Sequence, residues 1–432
     1  MVLATSPSAV PPVRSSTRAR ATDAGAGADR RPFRLTWGEV SGTLADIGVL
    51  LPLAVALITV NGLSPTSVFF GVGLAYLLAG IVYRLPMPVQ PLKAASVIAI
   101  AQGLPGSLVS ATGLALGLPL LLLAATGSAR YLSKLFPRPI IRGLQLGVGV
   151  LLVRSGFLLA SRSQMVVGGP ERVLRAGPWS LPLGWLVAGA ALLFLLFSLR
   201  RRVEGVSLLL LFLGVPIALL AGSSTTGLGE IRLGLALPKL GLPQPLAVAQ
   251  AFVLLALPQI PLTLGNAVFA TADTARLYFA ERAAVVTPRR LLTTAGACQV
   301  FSAVCGGVPV CHGSGGLTAH YKLGARSGLA PIIMGSLCLA LALFVDGKVL
   351  PVLALIPCPL LGALLLFVGV QHGLLARDLR MPQELAVALT TALVGLVSGN
   401  LALGMAAAMV LRGLLAVALR LRPSWARSSS GA

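Results

Sequence analysis

Polar residues are sparse along this chain and gather between long apolar runs. Fourteen apolar segments are read over residues 35–60, 65–83, 88–103, 107–127, 139–157, 181–199 and 204–222, then 247–275, 289–305, 309–321, 328–346, 358–374, 382–398 and 400–420. Runs of about 20 apolar residues are long enough to cross a bilayer as helices. The pattern predicts an all-α polytopic membrane protein with 14 transmembrane segments. The longest intervals between segments are about 158–180 and 223–246.

The third and tenth segments are broken. One opens with Pro86-Met87-Pro88-Val89-Gln90-Pro91-Leu92-Lys93-Ala94-Ala95, the other with Gly307-Val308-Pro309-Val310-Cys311-His312-Gly313-Ser314-Gly315-Gly316. Each is a proline-rich extended lead-in followed by small residues suited to open a helix. Non-helical backbone at membrane depth is tolerated only where protein buries it or where it lines a cavity. Two such breaks at matching places in two halves point to a transporter's binding site.

The halves align at an offset near 220. Thr43-Leu44-Ala45-Asp46 matches Thr263-Leu264-Gly265-Asn266, and Glu39 matches Gln259. Pro88-Val89 matches Pro309-Val310, Pro139 matches Pro359, and Gly149-Val150 matches Gly369-Val370. Seven spans per half is an odd number, so the second copy must enter the membrane inverted. The predicted organisation is a disordered cytoplasmic tail (1–34), a first repeat (35–222), an inter-repeat loop (223–246), a second repeat (247–420) and a short cytoplasmic tail (421–432). With the N-terminus inside, 25 of the 34 basic residues fall on the cytoplasmic side. Seven fall outside (Arg154, Arg162, Arg172, Arg175, Arg232, Lys239 and Lys348), and Lys93 and Arg412 lie within spans. Cytoplasmic loops of membrane proteins carry this excess of Lys and Arg. Both termini are therefore expected in the cytoplasm, with the protein in the cell membrane.

Composition agrees. The chain is 56% hydrophobic and 11% charged, with a mean hydropathy of +0.91, against about 25% charged residues in soluble domains. A soluble enzyme is excluded. The net charge of +22 reflects topology and not a nucleic-acid partner; the partner surface is the lipid bilayer. The cysteines, Cys298, Cys305, Cys311, Cys338 and Cys358, are odd in number and form no CxxC pair, so free thiols are expected. His312 and Cys311 are adjacent, but no further ligands stand at metal-binding spacing, and no metal or cofactor is expected.

A helix that starts near the midplane points free N–H groups and a positive dipole end into the protein. Such a terminus takes anions. Two opposed starts contribute about +0.5 elementary charge each, and Lys93 adds a full charge. The sum suits a small dianion. Tight turns between packed helices are the structural alternative. Candidate ligands are Gln90, Lys93, Ala94, His312, Ser314 and Gly315 from the two breaks, with Gln259, Thr263 and Asn266 closing the sides. Gln259 and Asn266 also suit interhelical bonding. Asp46 lies near mid-membrane, where a carboxylate is costly and is a functional candidate by default. Beside a dianion its ionised form is disfavoured, so Asp46, with Glu39, is a candidate for proton coupling. The alternatives are a salt bridge from Asp46 to Lys93 and a capping role for Glu39. His320 and Tyr321 are expected to pack or to line an exit.

At these residues the sequence resembles the molybdate transporter family, a branch related to the sulfate permeases. The long matching pieces are Pro86-Met87-Pro88-Val89-Gln90-Pro91-Leu92-Lys93 and Pro309-Val310-Cys311-His312-Gly313-Ser314-Gly315-Gly316-Leu317, continuing to Tyr321 and Gly324-Ala325-Arg326-Ser327-Gly328. Shorter pieces are Asp46-Ile47-Gly48, Gln259-Ile260-Pro261-Leu262-Thr263, Arg142-Gly143-Leu144-Gln145-Leu146-Gly147 and Gly399-Asn400. Ser314, His320 and Leu92 depart from the family pattern, where Ala, Gln and Met are expected. The resemblance implies a seven-plus-seven inverted-repeat fold like that of uracil and sulfate transporters. Spans 1–4 and 8–11 would form a substrate-carrying core and spans 5–7 and 12–14 a gate, with no C-terminal regulatory domain. It also implies a homodimer through the gate.

The resulting expectation is a secondary active importer of a tetrahedral oxyanion, molybdate first, by proton symport and alternating access. A sulfate or general oxyanion transporter is the first alternative. A proton-coupled nucleobase or carboxylate symporter and a passive anion channel follow.

Overall fold

The computed structural model describes residues 33, 35–43, 46–161, 164–166, 171–176, 179–201, 206–220, 235–343 and 355–421. The expected N-terminal tail (apart from Phe33), residues 223–234 of the inter-repeat loop and residues 422–432 lie outside these. The first half holds α1 (Trp37–Thr43), α2 (Ile47–Asn61), α3 (Pro65–Tyr83), β1 (Gln90–Pro91), α4 (Lys93–Gln102), α5 (Gly106–Thr126), α6 (Ala129–Lys134) and α7 (Arg138–Ala160). It continues through β2 (Val173–Ala176), β3 (Trp179–Pro182), α8 (Gly184–Arg201) and α9 (Val206–Leu220). The second half holds α10 (Pro245–Val285), α11 (Pro288–Val304), β4 (Val310–Cys311), α12 (Ser314–Lys322), α13 (Leu329–Leu343), α14 (Cys358–Leu374), α15 (Pro382–Val397) and α16 (Leu401–Leu421).

Among the described residues, six helices are long and apolar enough to cross a membrane, and five more apolar helices are shorter. The protein is thus a multi-pass helical membrane protein. Three local expectations change. The first segment is not one helix: α1 ends at Thr43, and α2 begins after Asp46. The interval 158–180 carries strands, with β2 pairing antiparallel to β3. The segment expected over 247–275 extends to Val285 and contains two π-helical stretches, Phe252–Ala256 and Thr263–Ala270. Pro258 and Pro261 lie between them. Each lacks an N–H and leaves a carbonyl one turn back without its α-helical donor. Wider π turns accommodate the interruption, and such turns are frequent at functional sites.

The extended lead-ins meet. Gln90 sits opposite Cys311 and Pro91 opposite Val310 in an antiparallel pair, and Leu92 N–H donates to the Pro309 carbonyl at 3.0 Å. Because the strands run in opposite directions, α4 and α12 leave the pair in opposite directions from a common centre. Side chains of α11 satisfy the rest of this backbone. Gln299 Nε2 donates to the Val310 carbonyl at 3.1 Å, and Ser302 Oγ donates to that of Val308 at 2.6 Å. Neither half-helix has a side-chain cap.

The helices that frame this centre pair across the two halves. α3 packs along α13, α5 along α11, and α7 along α14. Small residues set the crossings, as is usual in membranes. A Cβ added to Gly149 would stand 2.8 Å from the Gly369 carbonyl, and one on Gly369 would stand 2.8 Å from the Gly149 carbonyl. Gly73 meets the Gly335 carbonyl, and Gly117 meets that of Gly296, in the same way. On α3, Phe69, Tyr76 and Tyr83 are seven residues apart and share one buried face.

Gly149→Leu is expected to destabilise the protein by about 1–3 kcal/mol, the usual cost of overpacking. Gly189→Leu on α8, where an added Cβ meets nothing within 4 Å, is expected to be neutral. Thermal melting in detergent compares the two.

Candidate functional site

A cavity of about 40 Å³ lies where the two lead-ins turn into helices. That is room for more than one water-sized sphere, each needing about 10–15 Å³. Gln90 and Lys93 enter from β1 and the start of α4, His312 from the end of β4, and Gln259 and Asn266 from α10. Five of the residues singled out in the sequence are thus brought together. Two more walls come from residues given no binding role above: Gln145 on α7 and His372 on α14.

The remaining candidates stand one bond behind the lining or further away. Ala94 and Ala95 present their N–H groups at the first turn of α4, and Gln259 Oε1 accepts both, at 3.1 and 3.3 Å. Gln259 Nε2 donates to Thr263 Oγ1 at 3.1 Å. The helix start predicted to greet an anion therefore greets an amide oxygen in this structure. Ser314 Oγ donates to Asn266 Oδ1 at 2.7 Å, which ties the start of α12 to the π stretch of α10. Gly315 is exposed and is not part of the lining. His312 is fixed from both ring nitrogens: Nε2 pairs with Thr294 Oγ1 and Nδ1 with the Pro88 carbonyl, each at 3.0 Å. Tyr83 packs edge-on against the ring, and its hydroxyl pairs with Thr294 Oγ1 at 2.6 Å.

Lys93 is the cation of the cavity. Among the described residues its ammonium has no carboxylate within ion-pair distance, so the alternative of an Asp46–Lys93 salt bridge is not what forms. Asp46 is fully buried and takes three other donors. Tyr76 Oη donates to Oδ2 at 2.7 Å, His320 Nε2 lies 2.8 Å from the same oxygen, and Gln90 Nε2 donates to Oδ1. His320, expected to pack or to line an exit, is packed: it is fully buried as the ring partner of Asp46, and among the described residues its Nδ1 has no hydrogen-bond partner. Gln90 belongs to both groups, lining the cavity and bonding Asp46. Glu39 is elsewhere: its Oε1 accepts the backbone N–H groups of Arg326 and Ser327, both at 2.9 Å. The geometry gives it a backbone-capping role, holding the connection between α12 and α13.

The arrangement is a donor-rich cavity around one ammonium, with no carboxylate in its lining. No group of three or more His, Cys, Asp or Glu side chains suited to a metal occurs among the described residues.

A family model described as "Molybdate transporter of MFS superfamily" matches residues 38–152 and 251–371. The sequence is 30% identical to Molybdate transporter 1 of Chlamydomonas reinhardtii, over 89% of this chain and 92% of that protein. It is 29% identical to Molybdate transporter 2 of Arabidopsis thaliana, over 87% of each. The fold is that of the transmembrane domain of a cyanobacterium bicarbonate transporter, BicA, with a TM-score of 0.62 at 18% identity, covering 84% of this chain and 96% of that one.

Gln259→Leu is expected to leave the Ala94 and Ala95 N–H groups without an acceptor and to cost about 1–3 kcal/mol. Gln259→Glu retains an acceptor oxygen and is expected to melt closer to the wild type.

Proposed function

The chain belongs to the molybdate transporter family, and on that premise we propose that it is a secondary active transporter importing a tetrahedral oxyanion, with molybdate as the substrate. One observation carries the reading. The Lys93 ammonium lines a cavity at the meeting of two helix starts, surrounded by amide and imidazole groups and by no carboxylate. A charge held inside a membrane protein is costly unless paired. A dianion entering here supplies the missing partner and gains the Gln259 and Asn266 side chains around it. With the anion bound, Gln259 Oε1 exchanges its place at the α4 start for the oxyanion, and the Ala94 and Ala95 N–H groups become ligands. Ser314 contributes from the start of α12.

The proton enters, in this reading, at the Asp46–His320 pair. Gln90 connects that pair to the cavity, so a charge change on one side alters the bonding on the other. The proposed architecture is a seven-plus-seven inverted repeat with both termini in the cytoplasm. Support comes from the way the cross-half helix pairs exchange under the sequence offset: α3 with α13 becomes α11 with α5, while α7 with α14 maps onto itself. Alternating access then moves the core that carries α4, α10 and α12 against the scaffold of α7–α9 and α14–α16. A homodimer through that scaffold completes the proposal.

Molybdate binding to purified protein, with sulfate as competitor, tests the substrate. The expected result is binding that excess sulfate does not displace and that Lys93→Ala weakens by at least tenfold. Equal displacement by sulfate makes the protein a general oxyanion carrier, and binding of neither anion removes the reading. In proteoliposomes, an inward proton gradient is expected to drive molybdate accumulation above equilibrium. Asp46→Asn is expected to abolish that accumulation while leaving binding measurable.

A further inference from the structure

The cavity wall opposite the helix starts comes from α7 and α14, and its polar groups are Gln145 and His372. We infer that Gln145 is a ligand of the transported oxyanion, and that Arg142 and Asp378 hold its amide in the one orientation that donates. This rests on the oxyanion reading above.

The argument begins with the guanidinium, which has N–H donors and no acceptor. Arg142 Nη1 donates to Gln145 Oε1 at 2.8 Å, one helical turn away. With the amide turned over, its NH₂ would face the guanidinium donors, two donors with nothing to receive them. Arg142 therefore selects one of the two amide orientations. Oε1 faces Arg142, and Nε2, with both its hydrogens, faces away from it. Gln145 lines the cavity shared by Lys93, Gln259, Asn266 and His312, and Nε2 makes no hydrogen bond among the described residues. Two N–H groups aimed at a cavity with a cation and no carboxylate suit an oxyanion.

Arg142 is itself held. Its Nε donates to Asp378 Oδ1 at 3.0 Å and to Oδ2 at 3.1 Å, and its Nη2 reaches Oδ2 as well. This is a forked arginine–carboxylate pair, the geometry that fixes a guanidinium plane most firmly. Arg138 also donates to Oδ2, at 2.6 Å. The Arg142 side chain is 22% exposed and that of Arg138 59%, so Arg142 is the sheltered member. Asp378 closes the 3₁₀ turn Leu375–Asp378 that follows α14, the helix of His372. The ion cluster thus clamps the ends of the two helices that form the donor wall. Arg142 and Asp378 are positioning residues. Gln145 is the one that touches the anion.

Calorimetric titration of molybdate into the purified full-length protein tests this, on wild type, Gln145→Ala, Arg142→Ala and the double variant. Loss of one hydrogen bond to a charged ligand corresponds to about tenfold in affinity. Gln145→Ala is expected to weaken binding by about tenfold and Arg142→Ala by nearly as much. The double variant is expected to be no weaker than Gln145→Ala alone, because Arg142 acts through Gln145. Gln145→Glu keeps an acceptor for Arg142 but replaces the donors with a carboxylate oxygen. It is expected to lose more than tenfold in affinity with an unchanged melting temperature. Losses that add in the double variant overturn the positioning role. Wild-type affinity in Gln145→Ala or Gln145→Glu overturns the ligand. If Arg142→Ala does not fold, Asp378→Asn, which opens the fork, replaces it in the cycle. A wild type that binds no molybdate removes the oxyanion reading and this inference together; a wild type that binds, with variants that match it, removes the inference alone.

Discussion

Extended backbone inside a bilayer must find its hydrogen bonds within the protein, and the rest of this structure answers to that requirement. β1 and β4 meet it by pairing with each other, two residues on each side. Gln299 and Ser302 on α11 take the carbonyls the pair leaves over, and His312 takes that of Pro88. Because the pairing is antiparallel, the two half-helices diverge from one point, and their starts share one cavity. The cross-half packing of α3 with α13 and α5 with α11 holds the strands in register from outside.

Much of this frame was legible in the chain. The proline-rich lead-ins and their matching positions gave away the broken segments, since few other reasons exist for such residues at membrane depth. Lys93, Gln259 and Asn266 stood out as polar groups in apolar runs, and they do meet. That His320 packs against Asp46 in particular depends on which face of a short helix turns inward, and a nine-residue helix carries too little pattern to decide that. Gln145 and His372 were passed over for a different reason. Each lies in a span assigned to the scaffold, and only the packing of α7 and α14 against the helix starts brings them to the cavity. The π stretches of α10 had a visible cause in Pro258 and Pro261, but proline alone does not distinguish a kink from a widened turn.

Two chemistries sit side by side here. One is a cavity with a single ammonium and neutral donors. The other is a buried carboxylate satisfied by a phenol, an imidazole and an amide. Gln90 is common to both. An amide has no charge of its own to contribute, but its two ends are opposite in sense, so its orientation can respond to a change on either side. The two groups are therefore joined through one side chain, whose amide bonds Asp46 and lines the cavity.

The glycine crossings have a consequence for how the molecule is made. Among the described residues α3 packs most extensively against α13, and α5 against α11, about 180 to 260 residues later in the chain. As the polypeptide leaves the ribosome, α3 and α5 precede the helices they pack against most extensively, and β1 precedes its paired strand. The amino-terminal half must wait in the lipid, its surfaces shielded by acyl chains or by an insertion factor, until the carboxy-terminal half threads in beside it. Assembly of this transporter is therefore a late event in its own synthesis.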